Sequence, residues 1–133
     1  EKRIVGRELS VCVLNDRALD VTEIIPNGAF YDYGSKYTKN GSKEITPAPI
    51  GRELYQKAMK IAQNAHSALG LKNISRTDII LENDTSLLYA LETNAIPGMT
   101  PLSILPSCAQ ANGISFERLC QMLIFQLTAH GLR

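Results

Sequence analysis

The chain has 133 residues, 44% of them apolar and 20% charged, with a formal net charge of +1. Such a chain makes one domain with a modest core, and its near-neutral balance gives no electrostatic footprint for nucleic acid or an anionic membrane. No apolar run approaches the ~20 residues that span a bilayer, and the first residues do not read as a signal peptide.

Residues 4–14 read as a strand in which Leu9, Val11 and Val13 alternate with Glu8, Ser10 and Cys12. Asn15-Asp16 is a hairpin turn, and a second strand over 18–25 stops at Pro26-Asn27-Gly28. Residues 30–49 form a long connection without a clear period, of the kind that is more often functional than structural. A helix over 52–69 carries a stripe of Leu54, Ala58, Ile61, Ala65 and Ala68/Leu69, with Gly70 at its stop. Strands over 75–83 and 87–94 flank a short turn at Asp84-Thr85-Ser86, and 95–101 is a loop rich in Pro and Gly. A short helix covers 105–111 with Pro106 in its first turn. Ser115 caps a last helix whose stripe is Phe116, Leu119, Cys120, Leu123, Ile124 and Leu127. Hairpins without βαβ alternation predict an α+β domain, an antiparallel sheet flanked by helices. Cys12, Cys108 and Cys120, with the distant His66 and His130, fit neither a disulfide scaffold nor a zinc framework. The three cysteines are expected to be buried apolar residues in a reduced, cytoplasmic setting.

A three-residue turn at 84–86 sets Asn83 against Leu87, Asp78 against Glu92 and Arg76 against Asn94. Arg76, Asp78, Glu92 and Asn94 then share one face at one end of the hairpin. The other face carries Ile79, Leu81, Leu87, Tyr89 and Leu91 as a core surface. Directly opposed carboxylates repel. Two readings fit: a magnesium site completed by substrate phosphates, or a solvated face on which Arg76 offsets the acids.

A family resemblance bears on that choice. Arg76-Thr77-Asp78-Ile79-Ile80, the run Leu91-Glu92-Thr93-Asn94-Ala95-Ile96-Pro97-Gly98-Met99-Thr100, and Leu102-Ser103-Ile104-Leu105-Pro106 resemble the C-terminal signature of D-alanine–D-alanine ligases, ATP-grasp enzymes of peptidoglycan precursor synthesis. Residues 30–37 (Phe30-Tyr31-Asp32-Tyr33-Gly34-Ser35-Lys36-Tyr37) resemble their ω-loop, and residues 1–8 the segment that links the central and C-terminal domains. The resemblance implies an ATP-grasp C-terminal domain. Glu1 and the backbone of Lys2, Arg3 and Ile4 would meet adenine, Glu8 the ribose, and Phe30 and Leu91 the pocket walls. Lys36 would reach the terminal phosphate and Tyr37 would close the loop, a residue that favours the dipeptide product. Two magnesium ions, replaceable by manganese, would lie on Asp78, Glu92 and Asn94. Arg76 and the Gly98 N–H would stabilise the tetrahedral intermediate, and Ser103 with the Ile104 backbone would bind the second D-alanine. ATP would phosphorylate one D-alanine and the amine of another would attack the acyl phosphate.

Asn73, Thr77, Ala90, Thr93 and Ala95 depart from the family pattern without removing a ligand. The N-terminal and central domains of these ligases have no counterpart here, so the chain reads as their C-terminal portion, inactive alone. Such enzymes are commonly homodimers, through regions mostly outside this portion. The rivals are another ATP-grasp carboxylate–amine ligase and an inactive cation-binding fragment.

Overall fold

Two tight reversals set the sheet. The computed structural model describes residues 3–26 and 42–131, with side chains through residue 125. Strand β1 (Gly6–Leu14) turns into β2 (Arg17–Pro26) through Asn15 and Asp16, at φ of 52° and 61°. Two consecutive left-handed residues match the twist of a two-residue hairpin, and Asn and Asp tolerate them better than other side chains do. The chain continues as β3 (Ser42–Ile45), α1 (Arg52–Ala68), β4 (Ile74–Glu82), β5 (Leu88–Asn94), α2 (Ile104–Ala111) and α3 (Phe116–Gly131). The strands form one sheet in the order β3-β2-β1-β4-β5, with every pairing antiparallel. The expected α+β class and nearly all its elements are therefore present. Strand β3 lies inside the segment read as an aperiodic connection. Four residues are too few to display a period of two, and it is the edge of β2 that makes Ser42–Ile45 a strand.

Hairpin β4–β5 corrects the turn and keeps the register where it matters. Glu82 N–H donates to Leu87 O and Ser86 N–H to Glu82 O, so the loop runs over 83–86, one residue longer than expected. The ladder pairs Leu81 with Leu88 and Ile79 with Ala90, then slips at a bulge that leaves Leu91 without a partner. Beyond it Asp78 faces Glu92 and Arg76 faces Asn94, as the pattern predicts. A longer turn and a one-residue bulge cancel. They do not cancel in between. Leu88 replaces Leu87 against the core, Leu87 and Leu91 are 54% and 55% exposed, and Tyr89 reaches Glu82 rather than the core.

Both sheet faces are covered, which is why 9–14 are all buried despite their alternation. Helix α1 lies over Leu9, Val11, Val13, Val21, Ile79 and Leu81. It approaches through Ala58, Ala62 and His66 instead of the predicted Ala65 and Ala68/Leu69, with Leu54 and Ile61 at the margins. His66 Nδ1 lies 2.7 Å from Ser75 Oγ, a bond that draws the last turn of α1 onto β4. Helices α2 and α3 pack on the other face over Cys12 and Leu14, through Leu105, Cys108, Ala109 and Leu119. In α3 the buried side is Leu119 with Met122 and Leu123, while Phe116 and Ile124 are exposed and Leu127 lies beyond the described side chains. Cys12 and Cys108 are buried and Cys120 is half-buried. Among the described residues no helix is long and apolar enough to cross a membrane.

Asn73, Thr77 and Thr93 each have a local structural role. Asn73 sits at φ 67°, a conformation that favours Gly or Asn. Thr77 and Thr93 are directly opposed, and their hydroxyls are 3.0 Å apart. They form one hydrogen-bonded pair on the α1 side of the hairpin, away from the acidic face. Removing one partner leaves a buried hydroxyl unsatisfied, at about 1–3 kcal/mol, whereas replacing both is nearly neutral. Thr93→Val alone is therefore expected to lower stability in urea melts by ~1 kcal/mol or more. The Thr77→Val/Thr93→Val double variant should recover most of that. Additive losses would show that the hydroxyls do not interact.

Candidate functional site

Helices α2 and α3 cover only part of their sheet face, and the acidic residues occupy the rest. Directly paired residues share a face, so the ladders define rows. Ile80, Glu8, Ile24 and Glu44 form one row, Asp78, Ser10 and Thr22 the next, and Arg76 and Cys12 the third. Strand β5 adds Glu92 beside Asp78 and Asn94 beside Arg76.

Asp78 is the centre of this surface. Arg76 grips it with both arms of its guanidinium, Nε to Oδ1 at 2.9 Å and Nη2 to Oδ2 at 2.8 Å. Ser10 Oγ donates to Oδ1 at 2.8 Å from the neighbouring strand. Burial works against the Arg76 charge, but its hydrogen bond to Asp78 and the proximity of the Asp78 and Glu92 carboxylates outweigh it and raise its pKa. Beside Arg76, the pKa of the Cys12 thiol is held well above its ordinary value by its hydrogen bond to Cys108 and by burial. Glu92 is exposed. Asn94 Oδ1 accepts from Ile96 N–H at 2.9 Å, which fixes the amide and starts the turn into 95–101.

Two carboxylates and an amide oxygen are hard donors that suit a magnesium-like cation. Among the described residues no three His, Cys, Asp or Glu side chains gather to hold a metal unaided. A cation held here would need its remaining ligands from phosphate and water, the usual arrangement for Mg2+. The donor set fits the implied cation on that condition.

The loop after β5 brings Gly98 against Ser103. A Cβ on Gly98 would stand 2.7 Å from Ser103 Oγ. That hydroxyl accepts from Thr100 N–H at 3.1 Å and lies 2.9 Å from Thr100 Oγ1. Ser103 is the N-cap of α2 by position, yet its side chain makes no cap bond. The first N–H groups of α2, Ile104 among them, are left without a side-chain cap. Of the other candidates, Arg3 is exposed, Ile4 and Glu8 are half-buried, and Leu91 is the exposed bulge residue beside Glu92. Glu1, Lys2, Phe30, Lys36 and Tyr37 lie outside the described residues. A cleft of about 390 Å³ lies to one side, between β3 and α2, lined by Glu44, Thr46, Ser107, Gln110 and Ala111 rather than by Asp78 and Glu92. Burial pushes the Glu44 carboxyl up, and Arg76 pulls it back.

Sequence reasoning missed Ser10. The alternation of β1 puts it on the face of Glu8 and Cys12, but only the pairing of β1 with β4 brings it to Asp78.

The family model described as D-ala D-ala ligase C-terminus matches residues 1–125. A D-alanine–D-alanine ligase of Zymomonas mobilis is 44% identical over 131 residues, 97% of this chain and 41% of that protein. One from Granulibacter bethesdensis is also 44% identical, over 96% of this chain and 43% of its own length. The chain thus spans about two-fifths of the curated relatives it matches. Among solved structures, the Bacillus anthracis D-alanine–D-alanine ligase complexed with ATP aligns with TM-score 0.78 and 27% identity, over 93% of this chain and 38% of that one. The Coxiella burnetii D-alanine–D-alanine ligase aligns with TM-score 0.77 and 25% identity, over 93% and 32%.

Proposed function

Because the chain belongs to the D-ala D-ala ligase C-terminus family, we propose that it supplies the metal–nucleotide and acceptor half-sites of an ATP-dependent D-alanine–D-alanine ligase. The observation that carries this reading is the opposition of Asp78 and Glu92 beside a doubly bonded Arg76. Glu1, Lys2, Arg3, Ile4, Glu8, Phe30 and Leu91 are the proposed contacts of the nucleotide, with Lys36 and Tyr37 at the phosphates and the closing loop. Asp78, Glu92 and Asn94 would hold Mg2+, two ions by the family's pattern, with manganese as a substitute. When bound, the metal neutralises charge on the transferring phosphoryl group.

The chain's own residues do the positioning. Asp78 fixes Arg76 through Nε and Nη2, which leaves Nη1 to meet the oxyanion of a tetrahedral intermediate together with the Gly98 N–H. Ser103, held by Thr100, and the open N-terminus of α2 would receive the carboxylate of the second D-alanine, an arrangement in which the helix dipole favours the anion. The reaction would take place in the cytoplasm, where ATP is supplied.

D-alanine-dependent phosphate release from Mg-ATP, by the protein that carries this chain, tests the reading. A non-alanine acceptor used in preference would favour a different carboxylate–amine ligase, and no turnover with any amino acid would favour a cation-binding module. Gly98→Ala separates the acceptor site from the rest. Its methyl must push Ser103 Oγ off Thr100, so KM for the acceptor should rise by about tenfold, the loss of one hydrogen bond of ~1.4 kcal/mol. KM for ATP should hold. Equal changes in both constants would show that Gly98 serves only the fold.

A further inference from the structure

We infer that Ser10 is the positioning residue of the metal site: its hydroxyl orients Asp78 so that a cation meets this carboxylate through Oδ2 alone. The inference rests on the proposed metal-dependent reading of the site and adds a residue to it. A carboxylate oxygen accepts about two hydrogen bonds. Oδ1 has both, from Ser10 Oγ at 2.8 Å and Arg76 Nε at 2.9 Å. Oδ2 has one, from Arg76 Nη2 at 2.8 Å, and keeps a lone pair. Glu92, directly opposite across β4–β5, offers the second carboxylate.

The two partners of Asp78 differ in rigidity. Arg76 is a long side chain on the same strand, two residues away, and moves with the carboxylate it holds. Ser10 is fully buried, belongs to the neighbouring strand β1 and has one rotatable bond between backbone and oxygen. Of the pair it is the rigid reference. Bonds of this kind to a metal-ligating carboxylate commonly change metal affinity 10–100-fold when removed. Ser10 touches neither substrate nor the reacting atoms, so its effect reaches the reaction through Asp78.

The test is Mn2+ binding by the protein that carries this chain, in the presence of ATP, followed by the EPR signal of free Mn2+. Four proteins are compared at matched thermal stability: wild type, Ser10→Ala, Ser10→Thr and Asp78→Asn. Ser10→Ala is expected to weaken Mn2+ binding about tenfold or more, and Ser10→Thr, which keeps the hydroxyl, to stay within about twofold of wild type. Asp78→Asn should abolish the site. Wild-type affinity in Ser10→Ala, with Asp78→Asn impaired, overturns the inference and leaves the metal reading standing. Wild-type affinity in Asp78→Asn overturns the metal reading itself. If Ser10→Ala fails to fold, an affinity in Ser10→Thr as weak as that of Asp78→Asn also refutes a role that the hydroxyl alone should fulfil.

Discussion

Gly6→Ala is expected to be the most damaging small substitution in the described part of the chain. Gly6 pairs with Glu82 at the start of the β1–β4 ladder. A Cβ there would stand 2.2 Å from Leu81 O and 2.7 Å from Leu81 C, with Ile80 Cγ2 at 2.8 Å. Two of those atoms belong to the central backbone, which cannot rotate aside as a side-chain tip would. The strands must separate where β1 meets the strand that bears Asp78. Overpacking of this kind costs about 3 kcal/mol or more when the neighbour is rigid. With urea slopes of ~1–3 kcal/mol per M, the denaturation midpoint should fall by at least about 1 M. Gly51→Ala is the control, because a Cβ at Gly51 meets nothing within 4 Å. Equal midpoints for the two variants would mean that β1 and β4 do not meet at this distance.

Glu92→Gln carries the largest expected effect on function. The side chain is exposed and its replacement preserves shape, so the fold should be untouched. What changes is the charge opposite Asp78. A metal acting as a Lewis acid contributes several kcal/mol to the transition state, and each 1.36 kcal/mol is tenfold in rate. Losing one of its carboxylate ligands should therefore lower D-alanine-dependent phosphate release by about 10²-fold or more. Raising the metal concentration should restore part of the loss, because the ligand set is weakened and not erased. If instead Arg76 merely offsets a solvated acidic face, Glu92→Gln leaves turnover unchanged, and the metal-site reading of the hairpin is wrong.

These two variants probe the fold and the chemistry separately. Gly6 tests the close approach of strands that puts β1 beside β4. Glu92 tests the chemistry that this approach makes available. Ser10 joins them, because the β1–β4 ladder is what delivers its hydroxyl to Asp78.

By itself the sequence determined the kinds of element and the face of the acidic cluster. Period-two alternation marks β1 and β4, helical spacing marks α1, and the run from Leu91 to Thr100 carries the family signature. The Asp78–Glu92 pairing was legible too, although through a turn one residue short and a bulge that restored the count. That error had a physical cause. Leu87 and Leu88 are adjacent and equally apolar, so pattern could not choose which of them faces the core, and a one-residue slip leaves the hydrophobic count unchanged. Tertiary structure chose Leu88, because α1 packs there, and exposed Leu91 beside Glu92. It also decided the strand order β3-β2-β1-β4-β5, the short edge strand β3 and the Ala58–Ala62–His66 contact of α1. Ser10 belongs with these. Local periodicity reports which face a residue occupies, but not which strand lies alongside, and the bond from Ser10 to Asp78 joins residues 68 positions apart.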